Sequence, residues 1–248
     1  MSLIKSDPLI ALKEFTAARI GIGRVGNSIP LKHSLEFKLA HAHARDAVYS
    51  LLDVEGLRAS LGIFKVPVLQ LHSKALTRHK FLKRPDLGRM VNEASAMLLA
   101  DYRNRYDVVI IIADGLSATA VNENTIDMLS FLVPMLVDVK LTLAPICLVE
   151  QGRVAIGDDI AHSLNAQLSL VLIGERPGLS SADSMGAYLT YNPRPGLTDE
   201  LRNCVSNIRP EGLTSKPAAD KIFYLIREAF ARKLSGVALK DNAGLLAG

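Results

Sequence analysis

The run Val108-Val109-Ile110-Ile111-Ile112-Ala113 constrains the fold more than any other stretch of the chain. Every position is apolar and most are β-branched, so no side of such a strand can face water. That pattern belongs to a strand inside a parallel sheet with helices over both faces. Leu168-Ser169-Leu170-Val171-Leu172-Ile173 has the same character. Between the two, a helix follows Asp114-Gly115-Leu116-Ser117 through Leu132, where Pro134 is expected to break it. A strand over Leu141 to Val149 and a helix over about 153–165 come next. Strand alternating with helix from 107 to 173 predicts a parallel sheet with right-handed crossovers.

The flanking segments add to this frame. Val66 to Leu71 reads as a short strand. Arg84-Pro85-Asp86 opens a helix expected to run to about Arg105, with Leu87, Met90, Val91, Ala94, Met97 and Leu98 on one face. Ala187 to Tyr191 reads as a further strand. A last helix over Pro217–Leu234 turns Ile222, Leu225, Ile226 and Phe230 inward. The N-terminal part reads as helices without strands. Asp7 and Pro8 suit a helix start for 8–26, with Leu9, Leu12, Phe15 and Ile20 near helical spacing. Pro30 opens 30–53, where Leu35, Leu39, Ala42 and Val48 form a stripe. Phe15, Ile20, Leu35, Phe37 and Leu39 exceed what a small domain edge needs to bury. They either dock on a partner or pack on the chain's own sheet.

With 248 residues, one core plus a helical extension is the expected organisation. Hydrophobic content of 49% fills that core, and with no tryptophan and 5% aromatics it must be mostly aliphatic. A net charge of +4 without a run of like charges reads as a solvated surface rather than a nucleic-acid interface. Cys147 and Cys204 make neither a disulfide framework nor a metal site, which fits a reducing compartment. Met1 to Pro8 has no signal-peptide core, and no apolar run reaches membrane-spanning length. A soluble intracellular protein is expected.

Three strand ends form the candidate site. They are Ala113-Asp114-Gly115-Leu116-Ser117, Glu150-Gln151-Gly152-Arg153-Val154 and Gly174-Glu175-Arg176-Pro177-Gly178. Each places an acidic residue and a glycine just past a buried strand, where ligands of open α/β sheets sit. Glycine allows close backbone approach, and a carboxylate accepts hydrogen bonds from amides or hydroxyls. A helix starting near Arg153 would present unpaired N–H groups beside them. The pattern by itself names no ligand. Gly21-Ile22-Gly23-Arg24-Val25-Gly26 matches the dinucleotide fingerprint, but no strand precedes it, so it reads as a helix end and turn. His33, His41, His43, His72, His79 and His162 lack metal-ligand spacing. No Walker A loop or G-x-S-x-G elbow is present. Arg202 through Pro210 reads as either a contact loop or a tethering turn.

These residues also carry a resemblance. The matching stretches are Phe15-Thr16-Ala17-Ala18-Arg19-Ile20, His41-Ala42-His43-Ala44-Arg45-Asp46-Ala47-Val48 and Arg84-Pro85-Asp86-Leu87-Gly88. Ile112 to Ser117, Val149 to Val154, Gly174 through Leu189, Ser206-Asn207-Ile208-Arg209 and Leu234-Ser235-Gly236-Val237 follow in order. Together they resemble the small (light) subunit of ethanolamine ammonia-lyase over about residues 12–241. The resemblance implies an adenosylcobalamin-dependent lyase that splits ethanolamine into acetaldehyde and ammonia. Homolysis of the cofactor's cobalt–carbon bond supplies the radical. The implied partner is a large barrel subunit that holds substrate, in a hetero-oligomer inactive without both chains. The family's small-subunit cobalamin contacts fall here on Val154, Glu175 and Cys204. No histidine has an aspartate two residues before it, so D-x-H-x-x-G is absent. Base-on cobalamin, with its own dimethylbenzimidazole on the metal, is implied. A cytoplasmic protein housed in a bacterial microcompartment is implied as well. Many members have a longer N-terminal extension, however, and only residues 1–11 precede the match here.

The expected architecture is a Rossmann-like α/β domain, a mostly parallel sheet flanked by helices, over 61–248, with a helical extension over 1–60. Two other functions use the same residues. One is a free-standing nucleotide-binding protein, for which the phosphate loop is missing. The other is a purely structural partner subunit.

Overall fold

The computed structural model describes residues 7–16 and 18–240. Residues 1–6, Ala17 and 241–248 lie outside the described residues, and with them both ends of the expected segments 1–60 and 61–248. After a 3-10 turn at Pro8–Glu14 come helices α1 (Leu31–Tyr49) and α2 (Val54–Leu61), strand β1 (Val68–His72), and helices α3 (Arg78–Lys83) and α4 (Glu93–Asp101). The alternating part follows as β2 (Tyr106–Ala113), α5 (Ala118–Asp138), β3 (Ile146–Glu150), α6 (Ile156–Leu164) and β4 (Ala166–Gly174). Strands β5 (Met185–Tyr191) and β6 (Asn203–Ile208) and helix α7 (Ser215–Arg232) complete the chain.

One six-stranded sheet carries the molecule, in the order β1-β3-β2-β4-β5-β6. The first four strands are parallel, and β5 and β6 are antiparallel to their neighbours. The apolar run in β2 has the cause expected of it. Val108, Ile110 and Ile112 pack with Met128, Leu129 and Leu132 of α5 and Ile222, Leu225 and Ile226 of α7. Val109, Ile111 and Ala113 pack on the other face with Ile156, Ile160 and Leu164 of α6 and Leu99 of α4. Each large aliphatic side chain so buried stabilises the fold by about 1.5–3 kcal/mol before entropy is counted.

The topology fixes where a ligand can sit. From β2 the chain crosses through α5 to β3 on one side, then through α6 to β4 on the other. The loops after β2 and β3 therefore leave toward opposite faces. A crevice opens between such loops at the carboxyl end of the sheet.

Several elements differ from expectation for physical reasons. Among the described residues of 8–26, the helix is only the short 3-10 turn Pro8–Glu14, and the glycine stretch from Gly21 bends instead. Gly21, Gly23 and Gly26 have φ of 59°, 70° and 62°, and Val25 bridges Ser28. The expected helix over 84–105 is broken, because Asn92 N donates to His72 O and Val91 bridges Ser73 of the segment after β1. Asn92 Oδ1 then accepts from Ser95 N at 2.8 Å and starts α4 afresh. Pro134 does not end α5, which continues to Asp138. It sits on the exposed face, while Leu132, Val133 and Leu136 keep the buried face packed. Strand β3 is shorter than Leu141 to Val149 because Pro145 precedes it. Residues Arg202 to Pro210 are mostly neither loop nor turn: Asn203–Ile208 is the edge strand β6.

Helix α1 buries Ala47 alone. Leu35 and Leu39 are 54% and 58% exposed, and Phe15 and Phe37 are exposed as well. Ile20 is half-buried. The stripe is not packed on the chain's own sheet.

Candidate functional site

Asp114 joins two of the three strand-end loops. It is 2% exposed, and its carboxylate accepts from Gln151 N at 2.9 Å and Gly152 N at 3.0 Å. Burial pushes this carboxyl up to about 6, against the pull of those amides and of the Arg78 guanidinium 3.6 Å away. Arg78 ties more of the region together. Its Nε donates to Val48 O at 2.7 Å, at the end of α1. Its Nη1 donates to Gly115 O at 2.8 Å and to Gln151 Oε1 at 3.3 Å.

The third loop closes on the first. Leu116 N donates to Gly174 O at 2.9 Å, and Ser117 Oγ donates to Ala182 O at 2.6 Å. Gly115 takes φ of 57°, and a Cβ at Gly174 would collide with the Ser117 carbonyl. Only glycine permits both backbones this close. The expected unpaired amides at the start of α6 are largely consumed. Gln151 and Gly152 donate to Asp114, Arg153 N donates to Gly88 O at 2.8 Å, and the helix begins only at Ile156.

Glu175 is half-buried just past β4. Its Oε2 accepts from Ser184 Oγ at 2.6 Å and from Asn207 N at 3.3 Å. No described residue donates to its Oε1, which lies against Gly186. A Cβ built on Gly186 would sit 3.0 Å from that oxygen. The carboxylate is thus anchored by one oxygen and has no donor among the described residues at the other.

Two adjoining cavities run along this edge of the sheet. One, of about 400 Å³, is lined by Gly115, Gly174, Glu175 and Arg176. The other, of about 330 Å³, is lined by Pro85, Arg89, Ala155, Asp199, Arg202 and Cys204. Arg153, Val154 and Tyr188 line both. Val154, Glu175 and Cys204 are therefore brought onto one groove, with Val154 at its middle. Cys204 is exposed on β6, facing Tyr188 as its partner across the β5–β6 pair. Burial, then their mutual contact, raises the Tyr188 phenol, and burial raises the Cys204 thiol, so both stay protonated near neutral pH. Cys147 lies buried in strand β3 and lines neither cavity, with its thiol pushed far up by burial.

Sequence reasoning missed several residues of this site, Arg89 and Asp199 among them. Tyr188 lay in an expected strand with nothing to mark it. Arg78 and Phe81 lie on α3, which was not foreseen. The Arg78 and Arg153 guanidinium carbons stand 4.6 Å and 4.0 Å from the centroid of the Phe81 ring. The only signal was Arg153 itself, next to the second loop. Among the described residues, no group of three His, Cys, Asp or Glu is placed to hold a metal ion. His33 contacts Glu36 and His72 contacts Ser73 O, both at 2.8 Å, and neither lines the groove. No helix among the described residues is long and apolar enough to cross a membrane.

Comparison with known proteins decides the family. The family model described as Ethanolamine ammonia-lyase light chain (EutC) matches residues 6–240. The chain belongs to the ethanolamine ammonia-lyase light-chain family. It is similar to the ethanolamine ammonia-lyase small subunit of Pseudomonas fluorescens (strain Pf0-1), at 49% identity over 241 residues. That alignment covers 96% of this chain and 88% of the relative. The small subunits of Pseudomonas aeruginosa (strain UCBPP-PA14) and Pseudomonas putida (strain GB-1) are each 48% identical over 241 residues. Those alignments cover 96% of this chain and 88% and 89% of the relatives. The light-chain match spans every loop of the groove, so the groove belongs to the part this chain shares with its family.

Proposed function

We propose that this light chain joins a large subunit to form an adenosylcobalamin-dependent ethanolamine ammonia-lyase, and that its groove covers one part of the cofactor. One observation carries the reading: Val154, Glu175 and Cys204 line a single groove in which Glu175 keeps one carboxylate oxygen open. A corrin bears amide side chains, and Oε1 is an acceptor aimed at no described donor, so the donor set fits the group. Val154 offers an apolar contact at the middle of the groove. The protonated Cys204 thiol is small and weakly polar, suited to packing on a flat ring. On this reading the large subunit supplies the rest of the cofactor's cover.

When bound, the cofactor supplies the radical that starts deamination of ethanolamine to acetaldehyde and ammonia. This chain's residues hold and orient. Glu175 accepts an amide N–H through Oε1, while Ser184 and Asn207 fix its Oε2. Asp114 keeps the turn carrying Arg153 and Val154 in place through two backbone amides. No described histidine lines the groove. The substrate falls to the large subunit, and no catalytic residue is assigned here. A nucleotide fits this edge less well. The amides that would bind phosphate are taken by Asp114, and Glu175 repels an anion beside them.

The exposed apolar residues of α1, led by Leu35 and Leu39, form the face we assign to the large subunit. A place inside a bacterial microcompartment is the matching reading of location. The test mixes the purified chain with the large subunit, adenosylcobalamin and ethanolamine. Acetaldehyde release that needs this chain supports the proposal. Full turnover without it would sink the idea.

A further inference from the structure

The small net charge of the chain hides an uneven distribution. Between Lys74 and Arg89 the sequence holds six lysines and arginines, Lys74, Arg78, Lys80, Lys83, Arg84 and Arg89, against one acid, Asp86. That excess of five exceeds the +4 of the whole chain, so everything outside the segment is slightly acidic. Folding keeps these charges together. Lys74 N donates to Met90 O at 2.9 Å, so the two ends of the segment meet and it closes into a lobe. Within the lobe, α3 starts on Thr77, whose hydroxyl accepts from Lys80 N at 3.3 Å, and its Phe81 is fully buried. A Cβ on Gly88 would stand 3.2 Å from the Phe81 ring, so the helix rests on the second half of the lobe. Pro85 and Arg89 line the groove, which makes the lobe one of its walls.

Two of the six cations are answered within the chain. Arg78 turns inward to Asp114, 3.6 Å away, and Arg84 donates to the two carboxylate oxygens of Asp86 at 3.0 Å and 2.7 Å. Lys74, Lys80, Lys83 and Arg89 are exposed, and none has a carboxylate within ion-pair distance among the described residues. Exposed apolar side chains accompany them: Met90 shares a cavity with Lys74 and Arg89, and Leu76 lines another beside Lys74. Nucleic acid fits this face less well than protein. The acidic excess outside the lobe repels a long polyanion, and Phe81 is buried where no base can stack on it.

We propose that this lobe is the landing face for an acidic surface of the large subunit, and that its unpaired lysines steer the two chains together. On the two-subunit reading, on which this rests, a chain that closes over the groove meets the lobe that walls it. Opposite charge at such a rim speeds the encounter and fixes register more than it adds affinity. The apolar side chains of α1 then hold the complex, and the lobe directs its formation.

The experiment measures association and dissociation rates of the light and large subunits, with adenosylcobalamin present, at about 20 mM and about 300 mM salt. Lys80→Glu together with Lys83→Glu is expected to slow association about 10- to 100-fold at the lower salt, remove most of its salt dependence, and change dissociation less than about 3-fold. Lys80→Gln with Lys83→Gln, which only neutralises the pair, is expected to fall between this variant and the parent. Lys65→Glu with Arg105→Glu makes the same charge change at exposed positions just ahead of β1 and β2, at the far end of the strands, and is expected to slow association less than about 3-fold. Equal slowing by the two charge reversals, or none by either, would overturn the proposal. Lobe-dependent binding of a single-stranded oligonucleotide, beside unchanged subunit association, would mark a nucleic-acid face and also overturn it. An unaltered chain that never associates with the large subunit would bring down the two-subunit reading, and the proposal with it.

Discussion

Asp114 holds the Gln151–Gly152 turn at a cost that depends on pH. Its carboxyl is raised from 3.8 to about 6 by burial. A raised acid means that the ionised form destabilises the fold. The cost is absent below about pH 4, builds as pH rises from about 4 to about 6, and is complete above that. Asp114→Asn removes the titration. From about pH 7.5 down to about pH 5 the parent protein should gain roughly 1 kcal/mol of unfolding free energy over the variant. Denaturant melts of both proteins at the two pH values check this, and parallel pH profiles would contradict it. Gly186 makes a second prediction. An added methyl would press on Glu175 Oε1, so Gly186→Ala should weaken cobalamin binding by about 10-fold while the melting temperature moves little. At this scale the sequence was partly legible. Glu175 and Val154 follow buried strands that periodicity reveals. Arg78 was hidden, because its partners Val48, Gly115 and Gln151 lie 30, 37 and 73 residues away. Cys204 was reachable only through the family resemblance, since nothing in its neighbourhood reads as a strand.

The elements meet the groove through one buried ion pair. Asp158 in the first turn of α6 and Arg202 just before β6 are both almost fully buried, joined by two bonds of 2.7 Å. Thr190 of β5 and the Leu197 carbonyl accept further bonds from the same guanidinium, at 3.1 Å and 3.2 Å. This cluster holds the edge strand carrying Cys204 against the helix that follows Val154. Asp158→Ala leaves an arginine buried without its counter-charge and should cost about 3–5 kcal/mol. A loss below about 1 kcal/mol in urea unfolding would show that the pair does not tie these elements. The central strands and helices were legible because their apolar patterns are long and buried on both faces. The misreadings have tertiary causes. Pro134 survives in α5 because it faces water while three neighbours stay packed. The helix expected from Arg84 breaks where Asn92 bonds to the end of β1, and no local signal announces that contact. Strand β6 exposes Cys204, Ser206 and Asn207, so it has no apolar run to show.

As a whole the molecule presents two unfinished surfaces. One is the groove at the carboxyl end of the sheet. The other is α1, with Leu31, Leu35 and Leu39 each more than half exposed. Contiguous exposed apolar side chains of this kind mark interaction surfaces. Arg78 links the two, reaching from the end of α1 to two of the groove's three loops. Leu35→Glu together with Leu39→Glu should leave the isolated chain's melting temperature within a few degrees and abolish co-elution with the large subunit. Retained co-elution would move the interface elsewhere. The central claim concerns the groove, and it is tested most directly by titrating the reconstituted enzyme with adenosylcobalamin, unaltered and as Glu175→Ala. Loss of a carboxylate that accepts a buried amide should raise the dissociation constant by about 5- to 100-fold, with the subunits still assembled. An unchanged dissociation constant would contradict the account.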